Sequence, residues 1–232
     1  MTKFKRIIFK ISGEALSDGK APISPASAKL VCKQIADILA LGVEVAVVVG
    51  GGNFWRGRTS EEMNRATADH IGMMATVMNA LALGEYLTAS GIPNKVVSAF
   101  PVEKAAETYF IPNAEQYLAE GKVLVLGGGT GAPYFSTDTT LTLRACELHA
   151  DAIFLLKAVD GIYSADPKLD PTAIKYDEIS YDKIIADNLK ALDLTAVAMC
   201  KEFSLTVVVV GKDEPNAIIR VLNGEKLGTI IK

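Results

Sequence analysis

Histidine, tryptophan and cysteine are scarce. The 232 residues hold two histidines, one tryptophan and three widely spaced cysteines, Cys32, Cys146 and Cys200. An odd count without CxxC spacing suggests neither a disulfide framework nor a thiolate zinc site. A reduced, cytoplasmic setting fits that usage. An excess of one charge is lacking too, since 24 Lys+Arg against 27 Asp+Glu leave a formal net charge of −3. This argues against nucleic acid as a partner, because broad backbone neutralisation needs many cations. A small basic pocket remains compatible with it. No apolar run is long enough to span a bilayer, and the richest, Ile71 to Leu83, is interrupted by Asn79. The opening MTKFKRIIFKISG is basic and then apolar. Lys10 breaks that run and no small-residue cleavage site follows, so it reads as a strand rather than a signal peptide. Repeats, charge blocks and low-complexity linkers are absent.

What is present is a globular core. Half of the residues are hydrophobic and 22% are charged, too apolar for disorder. A chain of this size buries about 70% of its unfolded surface, enough for a core without covalent staples. Strand and helix patterns alternate. Strands are expected over Phe4 to Ile11, Val43 to Val49, Lys95 to Phe100, Lys122 to Leu126, Ala152 to Lys157 and Leu205 to Val210. Val43 to Val49 is too apolar for one wet face, so it reads as central and parallel. Ser24-Pro25 opens a helix as N-cap and first-turn proline. Its apolar positions are Leu30, Val31, Ile35, Ile38 and Leu39, and Gly42 stops it. Further helices are expected over Ala66 to Ala89, Asn113 to Glu120, Thr137 to His149, Tyr181 to Lys190, Asp193 to Phe203 and Pro215 to Leu222. The implied fold is α/β, a mainly parallel sheet covered on both faces. Ligands of such sheets bind beyond the carboxyl ends of the strands.

Three of those ends carry glycine: Ser12-Gly13, Gly50-Gly51-Gly52 and Gly127-Gly128-Gly129. Glycine lets backbone N–H groups approach a phosphate that a side chain would hold away. One such run is as often a tight turn; three in one sheet favour phosphate. Gly13 to Ala21 is not a P-loop, because it has one residue too many between the glycines and Ala21 replaces the magnesium-binding hydroxyl. Gly127 to Ala132 fits a loose dinucleotide pattern. The acidic residue that should end the next strand, Glu147, falls in an expected helix instead. Lys10 ends the first strand on the face opposite Phe9 and Ile11. Beside a phosphate turn it reads as the charge that meets a transferred phosphoryl group. Arg56 can grip phosphate in a bidentate way. Thr137-Asp138 opens a helix, where Thr and Asp are also ordinary caps. Together these residues suit phosphoryl transfer, which needs positioning and positive charge, usually with Mg²⁺. Residue chemistry alone does not name the acceptor.

Several motifs then occur in a fixed order: Lys10-Ile11-Ser12-Gly13-Glu14-Ala15-Leu16, Gly50-Gly51-Gly52-Asn53-Phe54-Trp55-Arg56-Gly57, Asp69-His70-Ile71-Gly72-Met73, Gly129-Thr130-Gly131 with Pro133, and Val159-Asp160-Gly161-Ile162-Tyr163 with Ala165-Asp166-Pro167. Nearly end to end, the chain resembles bacterial uridylate kinases of the amino acid kinase family. The stretch from Met63-Asn64-Arg65 to Leu81 points to the uridylate branch. The resemblance implies a single αβα-sandwich domain over 1–232, with UMP and oligomer contacts mainly in its N-terminal part and ATP in its C-terminal part. It implies ATP + UMP giving ADP + UDP in pyrimidine nucleotide synthesis, a cytoplasmic homohexamer, UTP as a candidate inhibitor, and Mg²⁺ carried mainly by nucleotide phosphates rather than side chains.

Carried over, Lys10 stabilises the moving phosphoryl group, Asp138 pairs with Lys10, Asp193 lies on the magnesium side and Arg56 sits between the phosphates. Lys10, Ile11, Ser12, Gly13, Gly52, Arg56, Lys157, Tyr163 and Asp166 would meet ATP. Gly51, Asp69, Thr130, Gly131, Ala132, Pro133, Tyr134, Phe135, Ser136 and Thr137 would hold UMP. The chain departs from many relatives at Ala132 (often Asn) and Lys157 (often Thr or Asn). The segment after Leu16 lacks a GFGI-type stretch, so strong GTP activation is not expected. His70 and the run Met73, Met74, Met78 read as packing or subunit contacts, and Trp55 as packing or base stacking. The competing readings are a kinase of the same family acting on a carboxylate or carbamate, and a non-catalytic uridine-nucleotide sensor.

Overall fold

The structure is a computed structural model that describes residues 4–55 and 63–232. The chain runs through β1 (Arg6–Ile11), a 3-10 turn (Gly13–Leu16), α1 (Pro25–Leu39), β2 (Glu44–Val49) and α2 (Arg65–Ala89). Then come β3 (Asn94–Ser98), β4 (Glu107–Thr108), α3 (Ile111–Ala119), β5 (Val123–Gly127), α4 (Thr137–Glu147) and β6 (Ala152–Lys157). The last part comprises β7 (Ile162–Tyr163), β8 (Lys175–Tyr176), β9 (Glu178–Ile179), α5 (Tyr181–Ala186), α6 (Leu194–Glu202), β10 (Val207–Gly211), α7 (Ala217–Leu222) and β11 (Thr229–Ile231).

Among the described residues, nine strands form one sheet in the order β4-β3-β5-β2-β1-β6-β10-β11-β9, and β7 pairs with β8 in a separate hairpin. Among the described residues, only β10 with β11 is antiparallel within the large sheet. Alternation splits the strand residues between two cores. Ile7, Phe9 and Ile11 join Val45, Val47 and Val49 under α1, α2 and α7. Ile8, Ala46, Val48, Leu124 and Leu126 face the other way, under α3 to α6. The result is the expected three-layer αβα sandwich. Each buried Leu, Ile, Val or Phe contributes roughly 1.5–3 kcal/mol of transfer energy.

Connection handedness creates the site. The chain leaves β1 and β2 toward one face, through α1 and α2, and leaves β5 and β6 toward the other, through α4 and then α5 and α6. Over the adjacent strands β5-β2-β1-β6 the chain therefore parts to both sides, and a crevice opens at their carboxyl ends.

Some expected boundaries move. The helix expected over Thr137 to His149 stops at Glu147, because His149 takes a left-handed φ of 50°. There His149 N–H donates to Cys146 O (3.2 Å) and Ala150 N–H to Ala145 O (3.0 Å), the Schellman closure without its usual glycine. Asn188, at φ 50°, likewise ends α5 short of Lys190. Asp193 caps α6 rather than belonging to it. Ser24 precedes α1 as expected, but its side chain makes no capping hydrogen bond. Leu30 faces outward at 65% exposure instead of joining the α1 core face.

Leu124, 0% exposed on β5, fills the centre of one core. Leu124→Ala should cost about 2–5 kcal/mol through the cavity it leaves. Leu169→Ala, at an 83%-exposed position, should stay within about 0.5 kcal/mol. Urea unfolding of the two variants checks the contrast; equal midpoints would contradict this core.

Candidate active site

Two charged residues meet at the bottom of the crevice. Lys10 is next to last in β1 and, by alternation, leaves the sheet on the α4 side. Asp138 sits in the first turn of α4, where a carboxylate is favoured by the helix dipole. Ser136 caps that helix, its hydroxyl accepting from Thr139 N–H at 3.0 Å. Lys10 Nζ donates to Asp138 Oδ1 at 2.6 Å. Lys157, at the end of the neighbouring strand β6, donates to Asp138 Oδ2 at 3.2 Å. Burial alone would push the Asp138 carboxyl up, but the two ammoniums outweigh it and hold the carboxyl below the usual range.

Asp193 joins the second helix start to the first. It caps α6 by accepting from Ala196 N–H at 3.0 Å. It also accepts from Thr139 Oγ1 at 3.0 Å and from the Ser136 hydroxyl. The starts of α4 and α6 thus share one carboxylate.

The glycine turns are held by α2. Buried Asn79 donates to Gly50 O at 2.7 Å and exchanges amide hydrogen bonds with Asn53 at 2.7 and 3.0 Å. Thr76 Oγ1 accepts from Gly128 N–H at 2.7 Å and donates to Met73 O at 2.7 Å. At Gly51 a Cβ would stand 2.8 Å from Gly72 O, so only glycine lets this turn ride on α2. One turn earlier, Arg65 Nε reaches both oxygens of Asp69 at 2.9 Å. Asp69 Oδ2 also accepts from Tyr134 N–H at 2.8 Å, tying α2 to the loop after β5.

A cleft of about 620 Å³ results. Of the residues expected from sequence, it gathers Lys10, Ser12, Gly13, Gly51, Gly52, Asp69, Ala132, Phe135, Ser136, Thr137, Asp138 and Asp193. Ile11, Thr130, Gly131, Pro133, Tyr134, Lys157, Tyr163 and Asp166 do not line it. Lys157 and Tyr134 still bond to residues that do. Tyr163 donates to Asp160 Oδ1 at 2.8 Å on the β7–β8 hairpin, and Asp166 accepts from Lys168 N–H at 2.9 Å in the following turn. Arg56 lies outside the described residues. Sequence reasoning missed Glu14, Arg65 and Thr76 on the lining, and Asn79 behind it. A second cavity of about 430 Å³ opens between α1 and α7 and shares Lys10, Ser12 and Glu14 with the first.

Trp55 both lines the cleft and donates Nε1–H to Ala68 O at 3.0 Å. On α2, Met73 is buried while Met74 and Met78 are exposed, and His70 is exposed with Nδ1 2.7 Å from Ala66 O. Burial pushes the Cys200 thiol up to about 11, which leaves it inert at neutral pH. Among the described residues no group of three His, Cys, Asp or Glu is placed to hold a metal ion. No helix among them is long and apolar enough to cross a membrane.

The family model described as "Amino acid kinase family" matches residues 5–211. The chain belongs to the amino acid kinase family. Among solved structures, this amino acid kinase is similar to a UMP kinase from Bacillus anthracis at 34% identity, covering 99% of this chain and 96% of that one, with a TM-score of 0.94. A UMP kinase from Ureaplasma parvum matches at 36% identity over 98% of both chains with a TM-score of 0.92. A uridylate kinase from Archaeoglobus fulgidus matches at 28% identity over the full length of both, with a TM-score of 0.74. The protein is therefore a kinase, and its cleft holds what phosphoryl transfer needs: glycine turns, two helix starts and an ammonium set against a carboxylate.

Because its carboxyl is held low by cations, the stabilisation Asp138 brings is complete above the unfolded carboxylate pKa and fades as pH falls through the folded value. Asp138→Asn should cost about 1–2 kcal/mol at pH 7, given partial exposure of the lysines. The gap to wild type should close as pH drops below 4. Urea midpoints across that range check this; a constant gap would contradict it.

Proposed function

We propose that the chain transfers the γ-phosphoryl group of ATP to UMP, giving ADP and UDP. The carrying observation is the cleft over β5-β2-β1-β6 with Lys10 and Asp138 at its base, in a chain that matches UMP kinases over nearly its whole length. The UMP phosphate is already anionic at neutral pH, so no general base is required. One of its oxygens bonds to the γ-phosphorus while the bond from that phosphorus to the bridging oxygen breaks, and ADP leaves. Charge spreads over the three equatorial oxygens, and Lys10 faces them. Ser12, Gly13 and Gly52 supply backbone N–H groups along the ATP phosphates, with Ile11 beside them. By the resemblance, Arg56, which lies outside the described residues, would serve both phosphates.

UMP occupies the side of the cleft lined by Gly51, Asp69, Ala132, Phe135, Ser136 and Thr137, and Thr130, Gly131, Pro133 and Tyr134 complete the loop that carries that lining. Support comes from the hydrogen bond that already joins Asp69 to this loop. ATP extends over the C-terminal part, toward Lys157, Tyr163 and Asp166. The 1–232 chain works as one domain with acceptor and donor sides. The Asp138 and Asp193 carboxylates are engaged by lysines, hydroxyls and N–H groups. This donor set fits Mg²⁺ held mainly by nucleotide phosphates and water, with Asp193 on its side of the cleft. When bound, the ion neutralises phosphate charge.

Hexamer assembly, a cytoplasmic place in pyrimidine nucleotide synthesis and UTP inhibition follow from the resemblance. The exposed Ile71, Met74 and Met78 on α2 support packing between copies.

A coupled assay with ATP–Mg²⁺ and UMP, CMP, dTMP or small carboxylates tests the acceptor. UMP should be turned over best. Turnover of a carboxylate instead would move the chain to another branch, and UTP binding without any turnover would make it a sensor. Lys10→Ala should lower kcat at least about 10²-fold with folding intact, as loss of a preorganised charge does. A near-normal kcat would remove Lys10 from the chemistry. Asp69→Asn should raise KM for UMP roughly 10-fold, the cost of a charged hydrogen bond, with kcat little changed. An unchanged KM would exclude Asp69 from the acceptor side.

A further inference from the structure

We propose that Lys157 is a positioning residue of the transfer centre: its ammonium keeps hold of one Asp138 oxygen so that the other can release Lys10 to the incoming phosphoryl group. This deepens the kinase reading above and rests on it.

The carboxylate is shared without competition. Lys10 takes Oδ1 at 2.6 Å and Lys157 takes Oδ2 at 3.2 Å. They come from the ends of adjacent strands, β1 and β6, and engage different oxygens of Asp138. The Asp138 side chain is only 15% exposed. With Lys10 as its sole partner, a half-desolvated anion would be stranded whenever Lys10 turned to phosphate, and stranding a charge costs far more than a pair contributes. That cost would hold Lys10 back. With Lys157 in place, Asp138 keeps one counter-charge throughout. The three groups together carry one net positive charge, the sign a phosphate needs.

Lys157 is itself well fixed. It pairs with Gly211 in the β6–β10 register, and its carbonyl accepts from Lys212 N–H at 2.7 Å. The shorter Lys10 contact is the one directed into the cleft, since Lys10 lines it and Lys157 does not. Asp193 reaches the start of α4 through the hydroxyls of Ser136 and Thr139 and shares no hydrogen bond with Lys157.

The test combines kinetics with difference infrared titration of the Asp138 carboxylate, each protein measured against its own Asp138→Asn counterpart. In Lys157→Met, kcat should fall about 10-fold while KM for UMP stays within about twofold, the pattern of an interaction used in the transition state. The Asp138 titration midpoint should move up, because one of two cations is gone. Lys157→Arg keeps the charge and should restore both kcat and the midpoint to near wild type. A midpoint that does not move, or a Lys157→Met kcat within about twofold of wild type, overturns the proposal. A rise in KM for ATP with kcat unchanged also overturns it, leaving Lys157 with its donor-nucleotide contact alone. The titration needs no acceptor. A wild type that fails to phosphorylate UMP would sink the acceptor reading, while the midpoint still decides the role of Lys157.

Discussion

A carboxylate held between two ammoniums is the constraint on which the site depends. Asp138 is placed by α4, Lys10 by β1 and Lys157 by β6, so the contact exists only if three elements are in register. Its electrostatics are local and strong, because the carboxylate is mostly buried and its partners are not fully hydrated. The backbone does the rest. Connections that leave β1 and β2 on one face and β5 and β6 on the other open the space above these charges, and no loop insertion is needed to make it.

The long helix α2 acts as the frame for that space. Along one side it presents Asp69, Gly72, Thr76 and Asn79, spaced three or four apart, so that all face the strand ends. Asn79 fastens the Gly50-Gly51-Gly52 turn, Thr76 the Gly127-Gly128-Gly129 turn, and Asp69 the loop beyond it. Each is polar within a helix whose other buried positions are Met, Ala, Val, Leu and Gly. A buried amide or hydroxyl is tolerated because every one of these finds its partners. Turns fixed in this way present backbone N–H groups in a set geometry before any anion arrives, which is what electrostatic preorganisation requires.

Much of this was legible in the sequence. The run VEVAVVV announces a central parallel strand because it lacks a wet face, and β2 lies between β5 and β1. The face of Lys10 follows from alternation alone. Other features were hidden by their physics. Asn79 reads as a flaw in an apolar run, since nothing local tells a satisfied buried amide from an interruption. The helix stops at His149 and Asn188 use left-handed residues other than glycine, so punctuation rules run past them. The short strands β4, β9 and β11 have too few residues for any periodicity. The partner of Lys157 is set by a contact 19 residues away in sequence, across the α4-to-β6 connection, and no spacing rule encodes it. Family resemblance supplied the acceptor, which residue chemistry did not.

The most direct measurement is a crystal structure of the protein soaked with UMP and a non-hydrolysable ATP analogue. The account predicts the terminal phosphates of the two nucleotides meeting above β1, with the Lys10 ammonium within hydrogen-bond distance of the γ-phosphate and Asp138 still held by Lys157. Nucleotides bound elsewhere, or a Lys10 ammonium remote from every phosphate oxygen, would contradict it.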